Sequence, residues 1–266
     1  MSIQHKKEIF DSFFNSPESF ILFETHDINF LQTLVDDENI RKCDKTPLRK
    51  FINNALLINK SKTQPIKTAP VKYNKTKNSG FYFSKNSLQF LTKSTKKAVY
   101  NFGGYSNIDI VNCGYTVLYQ ICISNGIEQL PTMKEFIENR EKICAEHPPI
   151  SEKYTVKQHF CEILSKSEHL EGESEFIKKL VDELIFVKKL LQHPEFPDFS
   201  AEKIIGIYTN FIMKLIVEYL VTNEIIVPNF YSLNCDEIYF KPLKEFKIAD
   251  VEKFIFEKTG FLIKLH

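Results

Sequence analysis

The stretch that most constrains this chain is residues 105–127, YSNIDIVNCGYTVLYQICISNGI. It opens as a β-prone run with Ile108, Ile110 and Val111, yet it places a carboxylate, Asp109, where strand propensity disfavours one. An acid in that position needs a reason. Asn112-Cys113-Gly114 then signals a turn. Val117, Leu118, Ile121 and Cys122 follow at i, i+1, i+4 and i+5, the spacing of a helix that closes at Asn125-Gly126. The segment reads strand, turn, helix, with Asp109 near the strand end and facing the space above the turn.

Charge is distributed unevenly around this segment. The formal net charge is only +1, but residues 41–100 carry fifteen Lys or Arg against one acid, Asp44, so a +14 block sits on a −13 body. Within that block, residues 60–78 have few large apolar side chains and prolines at 65 and 70, which reads either as a solvated linker or as a surface for nucleic-acid phosphates. A chain of 266 residues, 43% hydrophobic and 13% aromatic, is long enough for one large domain or two small ones with a real core. The six cysteines form no CxxC pair and sit mostly among apolar neighbours, as reduced core thiols do. MSIQHKKEIF has no apolar signal region, and the apolar stretch 204–220 is interrupted by Asn210 and Lys214. These features predict a soluble intracellular protein, in cytoplasm, nucleus or viral factory, without membrane contact.

In chain order, residues 3–36 read as helical around a break at Ser16-Pro17, and residues 46–60 as a second helix with Pro47 in its first turn. A basic linker is expected over 61–79, a short strand from residue 80, and a brief basic helix over 92–100. Lys85, Lys93, Lys96 and Lys97 thus precede Asp109 closely. Helices follow at 130–146, 151–167, 174–192 and 201–221. In the second of these, Lys153 and Lys157 stack one turn apart, a mild repulsion that an anionic partner would relieve. Residues 224–240 read as a hairpin around Asn234-Cys235-Asp236, with Glu237 adjacent; a helix over 248–258 and a strand over 260–265 close the chain. The pattern predicts an α+β fold, an antiparallel sheet packed by helices, with a helical N-terminal region over 1–60, the linker over 61–79 and the main domain over 80–266.

A carboxylate on one strand and another on a neighbouring hairpin can share divalent cations, which stabilise the attacking and leaving oxygens of phosphoryl transfer. Magnesium prefers one or two carboxylates plus substrate phosphates, which suits Asp109 and Asp236.

Five segments in order add a resemblance: GFYFSKNSLQFL (80–91), IDIVNCGYTVL (108–118), Lys153-x-x-x-Lys157, Cys235-Asp236-Glu237, and EKTGFLIKL (257–265). Their order and spacing over residues 80–266 resemble the palm and part of the fingers of family A DNA polymerases, particularly the divergent forms of transposons, virophages and large DNA viruses. The resemblance implies a polymerase-palm-like sheet and a catalytic, metal-binding pair, Asp109 and Asp236, supported by Glu237. It implies two Mg²⁺ or Mn²⁺ ions, with Lys157 and Lys153 meeting the incoming nucleotide triphosphate as point charges. Gln89 and Lys96 would lie in the upstream nucleic-acid contact segment, with Lys85, Lys93 and Lys97 around them. The implied partners are nucleic acid, DNA rather than RNA, nucleotide triphosphates and replication proteins of a virus or mobile element. The richness in Lys, Asn, Ile and Phe fits an A/T-rich genome of that kind.

The sequence departs from the family pattern where substrate is handled. Gly114-Tyr115 stand in place of His-Pro, Cys235 in place of the His before the second acid, and Ser165-Lys166 in place of Tyr-Gly. Two expectations therefore stand side by side: a small template-directed nucleotidyltransferase acting by two-metal phosphoryl transfer, and a catalytically inactive, polymerase-derived nucleic-acid-binding or replication-accessory protein.

Overall fold

The computed structural model describes residues 3–59, 64–76, 79–148, 155–169, 171–190 and 200–266. The chain opens with α1 (Ile3–Phe14), then β1 (Ser19–Asp27), α2 (Ile28–Asp36), α3 (Lys42–Ile58), β2 (Ile66–Lys75) and β3 (Tyr82–Phe83). A 3₁₀ turn (Leu88–Phe90) leads to α4 (Lys93–Phe102), β4 (Ser106–Asp109) and α5 (Cys113–Ile123). Five helices follow: α6 (Pro131–Glu138), α7 (Arg140–Glu146), α8 (Val156–Lys166), α9 (Glu175–Leu190) and α10 (Ala201–Thr222). The hairpin β5 (Tyr231–Asn234) and β6 (Glu237–Phe240), then α11 (Ile248–Thr259), complete the described elements. The strands form two three-stranded antiparallel sheets, ordered β1-β2-β3 and β4-β6-β5, so the fold is α+β as expected.

The N-terminal region corrects the helical expectation. Residues 19–27 form β1, with Leu22, Glu24 and His26 buried at alternate positions. Two polar residues on the inward face hide the period-two hydrophobic signal that marks a half-buried strand. The expected linker is likewise β2 along residues 66–75, paired with β1 from Ser19↔Asn74 to Asp27↔Ile66. Its inward face is Lys67, Ala69, Val71 and Tyr73, all buried. Pro70 is tolerated because β3 pairs only with residues 74 and 75, leaving that edge of β2 open beside the proline. Side chains of α3 close the edge instead: the Asn54 amide donates to the Pro70 carbonyl (3.0 Å) and the Asn59 amide to that of Thr68 (2.7 Å). The Lys75 ammonium donates to the carbonyls of Phe13 (2.6 Å) and Ser16 (3.3 Å), capping the end of α1, where the helix dipole favours a cation.

Two further departures lie near the C-terminal half. The helix expected over 130–146 divides at Asn139, whose backbone (φ −124°) leaves the helical region. Residues 260–265 form no strand; they run beside β4, with Asp109 and His266 exchanging backbone hydrogen bonds (2.9 and 3.1 Å) and a single bridge from Ile110 to Leu265. Helix side chains capture the backbone donors that a strand would have used: Leu262 N–H donates to Gln120 and Leu265 N–H to Glu252.

The core gathers around α10, which packs against α1, α5 and α11. By length and composition α10 could cross a membrane, but two-thirds of its apolar window, 67%, is buried inside the fold. Lys214, which interrupts that apolar face, donates to Ser12 and Ser16 at the end of α1. Gly206 lets the chain at residues 79–81 lie directly on α10, because a methyl there would overlap the Ser79 carbonyl. Gly80, at φ +72°, makes the same approach from the other side. The two sheets meet through Tyr73 of β2, whose hydroxyl accepts from Leu233 N–H on β5 (3.1 Å) and bonds Glu24 and Ser232.

Candidate functional site

Asp109 is the last residue of β4, and its register partner on β6 is Glu237. Asp236 sits in the two-residue turn between β5 and β6, closed by the Asn234↔Glu237 pair. Such tight hairpins use positive φ, supplied here by Cys235 at 60°. One residue past Asp109, Ile110 N–H donates to the Asp236 carbonyl (3.1 Å), tying the turn to the end of β4. The two acids therefore arrive at one place from sequence positions 127 apart. Both line a cavity of about 140 Å³ that also receives Cys113, Tyr115, Arg140 and Lys157.

The electrostatics of the pair follow from that geometry. Burial pushes the Asp109 carboxyl up to about 6, and the charges of Asp236 and Glu237 push the same way, against His266 and Lys157. Burial also raises Asp236; its own backbone hydrogen bond and Lys157 oppose that, Glu237 adds to it, and Lys96 opposes it. Glu237 is held in place by amide donors from Asn107 (3.1 Å) and Asn234 (3.0 Å).

Helical phase divides the basic residues upstream. Lys96 lies on the buried face of α4, 8% exposed. Burial pushes its ammonium down, and the nearby charges of Glu237 and Asp236 support it. Lys93 and Lys97 are exposed on the same helix, and Lys85 is exposed in the preceding turn. Gln89 is buried and its amide is engaged within the fold: the oxygen accepts from Ser84 N–H (3.1 Å) and the nitrogen donates to the Tyr82 carbonyl (3.2 Å). Lys157 stands in the first turn of α8, started by a capping box between Thr155 and Gln158. Lys153 lies outside the described residues.

Tyr115 and Gly114, which follow the Asp109 strand, have local structural uses. The Tyr115 hydroxyl donates to the Phe160 carbonyl (2.7 Å), and its ring packs on Phe136, tying α8 to α5. Gly114 lets Leu164 of α8 approach, since a Cβ there would meet its methyl at 2.5 Å. Together they bring the helix that carries Lys157 over the acids.

Sequence reasoning missed Arg140 and Asn112. Arg140 begins α7 and borders both the acid cavity and a wider groove of about 730 Å³, which also receives Lys142 and Lys157. It is one of only three arginines in the chain, a rarity that marks it against the lysine background. Asn112 adopts left-handed backbone (φ 52°), and its buried side-chain oxygen has no hydrogen-bond partner.

Among the described residues no group of three His, Cys, Asp or Glu is disposed to hold a metal ion. Among the described residues the donors at this place make no all-protein zinc or calcium cage. Two partly buried, neighbouring carboxylates do fit magnesium or manganese bound with substrate phosphates, because such a cation offsets the burial and the adjacent negative charge that raise Asp109. No protein-family model matches the chain, and no match was found among curated proteins or solved structures.

Proposed function

We propose that this protein is a small template-directed nucleotidyltransferase, extending a nucleic-acid primer by metal-assisted phosphoryl transfer, in a viral or mobile-element setting. The observation that carries the reading is the convergence of Asp109, Asp236 and Lys157 at one cavity, with the Lys96 charge acting on Asp236, beside a groove bearing Arg140 and Lys142. Asp109 and Asp236 would hold Mg²⁺ or Mn²⁺, and Glu237, fixed by two asparagines, would keep the turn in register. Bound there, divalent cations would neutralise the attacking and leaving oxygens. Lys157, Lys153 and Arg140 would orient the triphosphate, and Lys96 would hold Asp236 ionised by its charge. Gln89 would act by fixing the turn from which Lys85 and Lys93 reach the strand.

Primer extension tests the reading. With labelled primer on DNA or RNA template, the protein extends the primer in Mg²⁺ or Mn²⁺, and Asp109→Asn or Asp236→Asn lowers the rate by at least about 100-fold. No extension by the folded protein in either metal counts against it.

A second reading rests on the charge of the segment 41–100, which carries fifteen Lys or Arg against one acid. In it the chain binds nucleic acid through the basic segment 41–100 and performs no chemistry. That reading requires salt-sensitive binding that survives both aspartate substitutions.

A further inference from the structure

The turn that precedes α4 carries an aromatic surface that the acid site does not use. Phe90, at the end of the 3₁₀ turn, is 57% exposed and stacks on Phe83 of β3 with centroids 5.9 Å apart and planes 16° from parallel. Phe83 takes one side of the pair, and more than half of Phe90 remains exposed to solvent. Lys93 and Lys97 project from the exposed face of α4 immediately after it, one helical turn or ~6 Å apart, and Lys85 is exposed just before it. The sequence holds no acidic residue between Asp44 and Asp109, so no carboxylate from this whole stretch competes for those ammonium groups. The 3₁₀ turn itself is rigidly seated, packing on α3 and on β5, the strand that leads into Asp236.

We infer that Phe90 is a stacking platform for a base of single-stranded nucleic acid, with Lys85, Lys93 and Lys97 holding the flanking phosphates. An exposed flat ring beside a row of lysines matches a strand that alternates planar bases with anionic groups. A duplex, whose bases are already stacked, offers no exposed face to the ring. An acidic peptide would use the lysines and leave Phe90 unoccupied. The inference rests on the nucleic-acid reading above, and on none of the chemistry assigned to the acid pair.

The test is fluorescence anisotropy with a fluorescein-labelled oligothymidine, its duplex, and an oligoglutamate competitor. It uses the full chain in the Asp109→Asn background, where catalysis is removed, so the platform and the polymerase reading fail separately. Phe90→Ala should weaken single-strand binding roughly 5- to 150-fold without changing the salt slope, and Phe90→Trp should restore it. The double variant K93Q/K97Q should flatten the slope of log affinity against log salt by about 1.4. Equal single-strand affinity for the chain with Phe90 intact and for its Phe90→Ala and Phe90→Trp variants overturns the inference. So does a duplex bound as tightly as the single strand, or oligoglutamate displacing the oligonucleotide at equal charge.

Discussion

Asp109 is partly buried beside Asp236 and Glu237, and that burial, with the neighbouring negative charge, weighs against its ionised form whenever no counter-ion is bound. The sign follows from the raised Asp109 value of about 6: the folded state holds this proton more tightly than the unfolded chain, whose carboxyl titrates near 3.9. The stability that the protonated group contributes is therefore present at low pH and lost as pH rises from about 4 through about 6. In EDTA at pH 7.5, Asp109→Asn should stabilise the protein by up to about 3 kcal/mol, a gain that fades as pH falls from about 6 and is absent below about pH 4. Urea denaturation at the two pH values measures this; an Asn variant less stable at pH 7.5 than the parent would contradict it. At this scale the acids were legible in the sequence, because a carboxylate in a β-prone run and another in a hairpin turn are conspicuous. Arg140 was not, since nothing local distinguishes a surface arginine from one that borders a groove.

Among the elements, α4 depends on a residue from another helix. Asp44, in the first turn of α3, accepts hydrogen bonds from Thr92 N–H (2.7 Å), the Thr92 hydroxyl (2.6 Å) and the Thr95 hydroxyl (2.7 Å). Burial alone would raise its carboxyl; the Thr92 and Thr95 donors and the Arg41 charge outweigh burial and hold it below the usual range. Asp44→Ala should cost about 2–3 kcal/mol at pH 7, measured as a lowered urea midpoint. Because the folded value is depressed, the penalty should shrink as pH falls below about 4. An unchanged midpoint at pH 7 would show that α4 is placed without this contact. Helix positions were largely legible from apolar spacing, as α9 and α10 illustrate. The strands β1 and β2 were hidden because Glu24, His26 and Lys67 occupy inward positions, where the periodicity argument looks for hydrocarbon. Only the helical phase seen in three dimensions separates Lys96, turned toward the acids, from Lys93 and Lys97, turned to solvent.

For the whole molecule, the sheet β1-β2-β3 takes strands from both sides of the expected boundary at residue 79, and Tyr73 joins it to the sheet that carries the acids. A long-range arrangement of this kind leaves no local trace in sequence. The resemblance to family A polymerases supplied an order of motifs, and the fold adds the proximity of Asp109, Asp236 and Lys157. The central claim is that the two acids form one cation site completed by nucleotide phosphates. Electron paramagnetic resonance of Mn²⁺, titrated into the protein with a non-hydrolysable nucleoside triphosphate present, tests it directly. Protein-dependent loss of the free Mn²⁺ signal, beyond that of nucleotide alone, is the expected result, and Asp109→Asn and Asp236→Asn should each abolish it. Binding unchanged in either variant, or no binding by the parent chain, would contradict it.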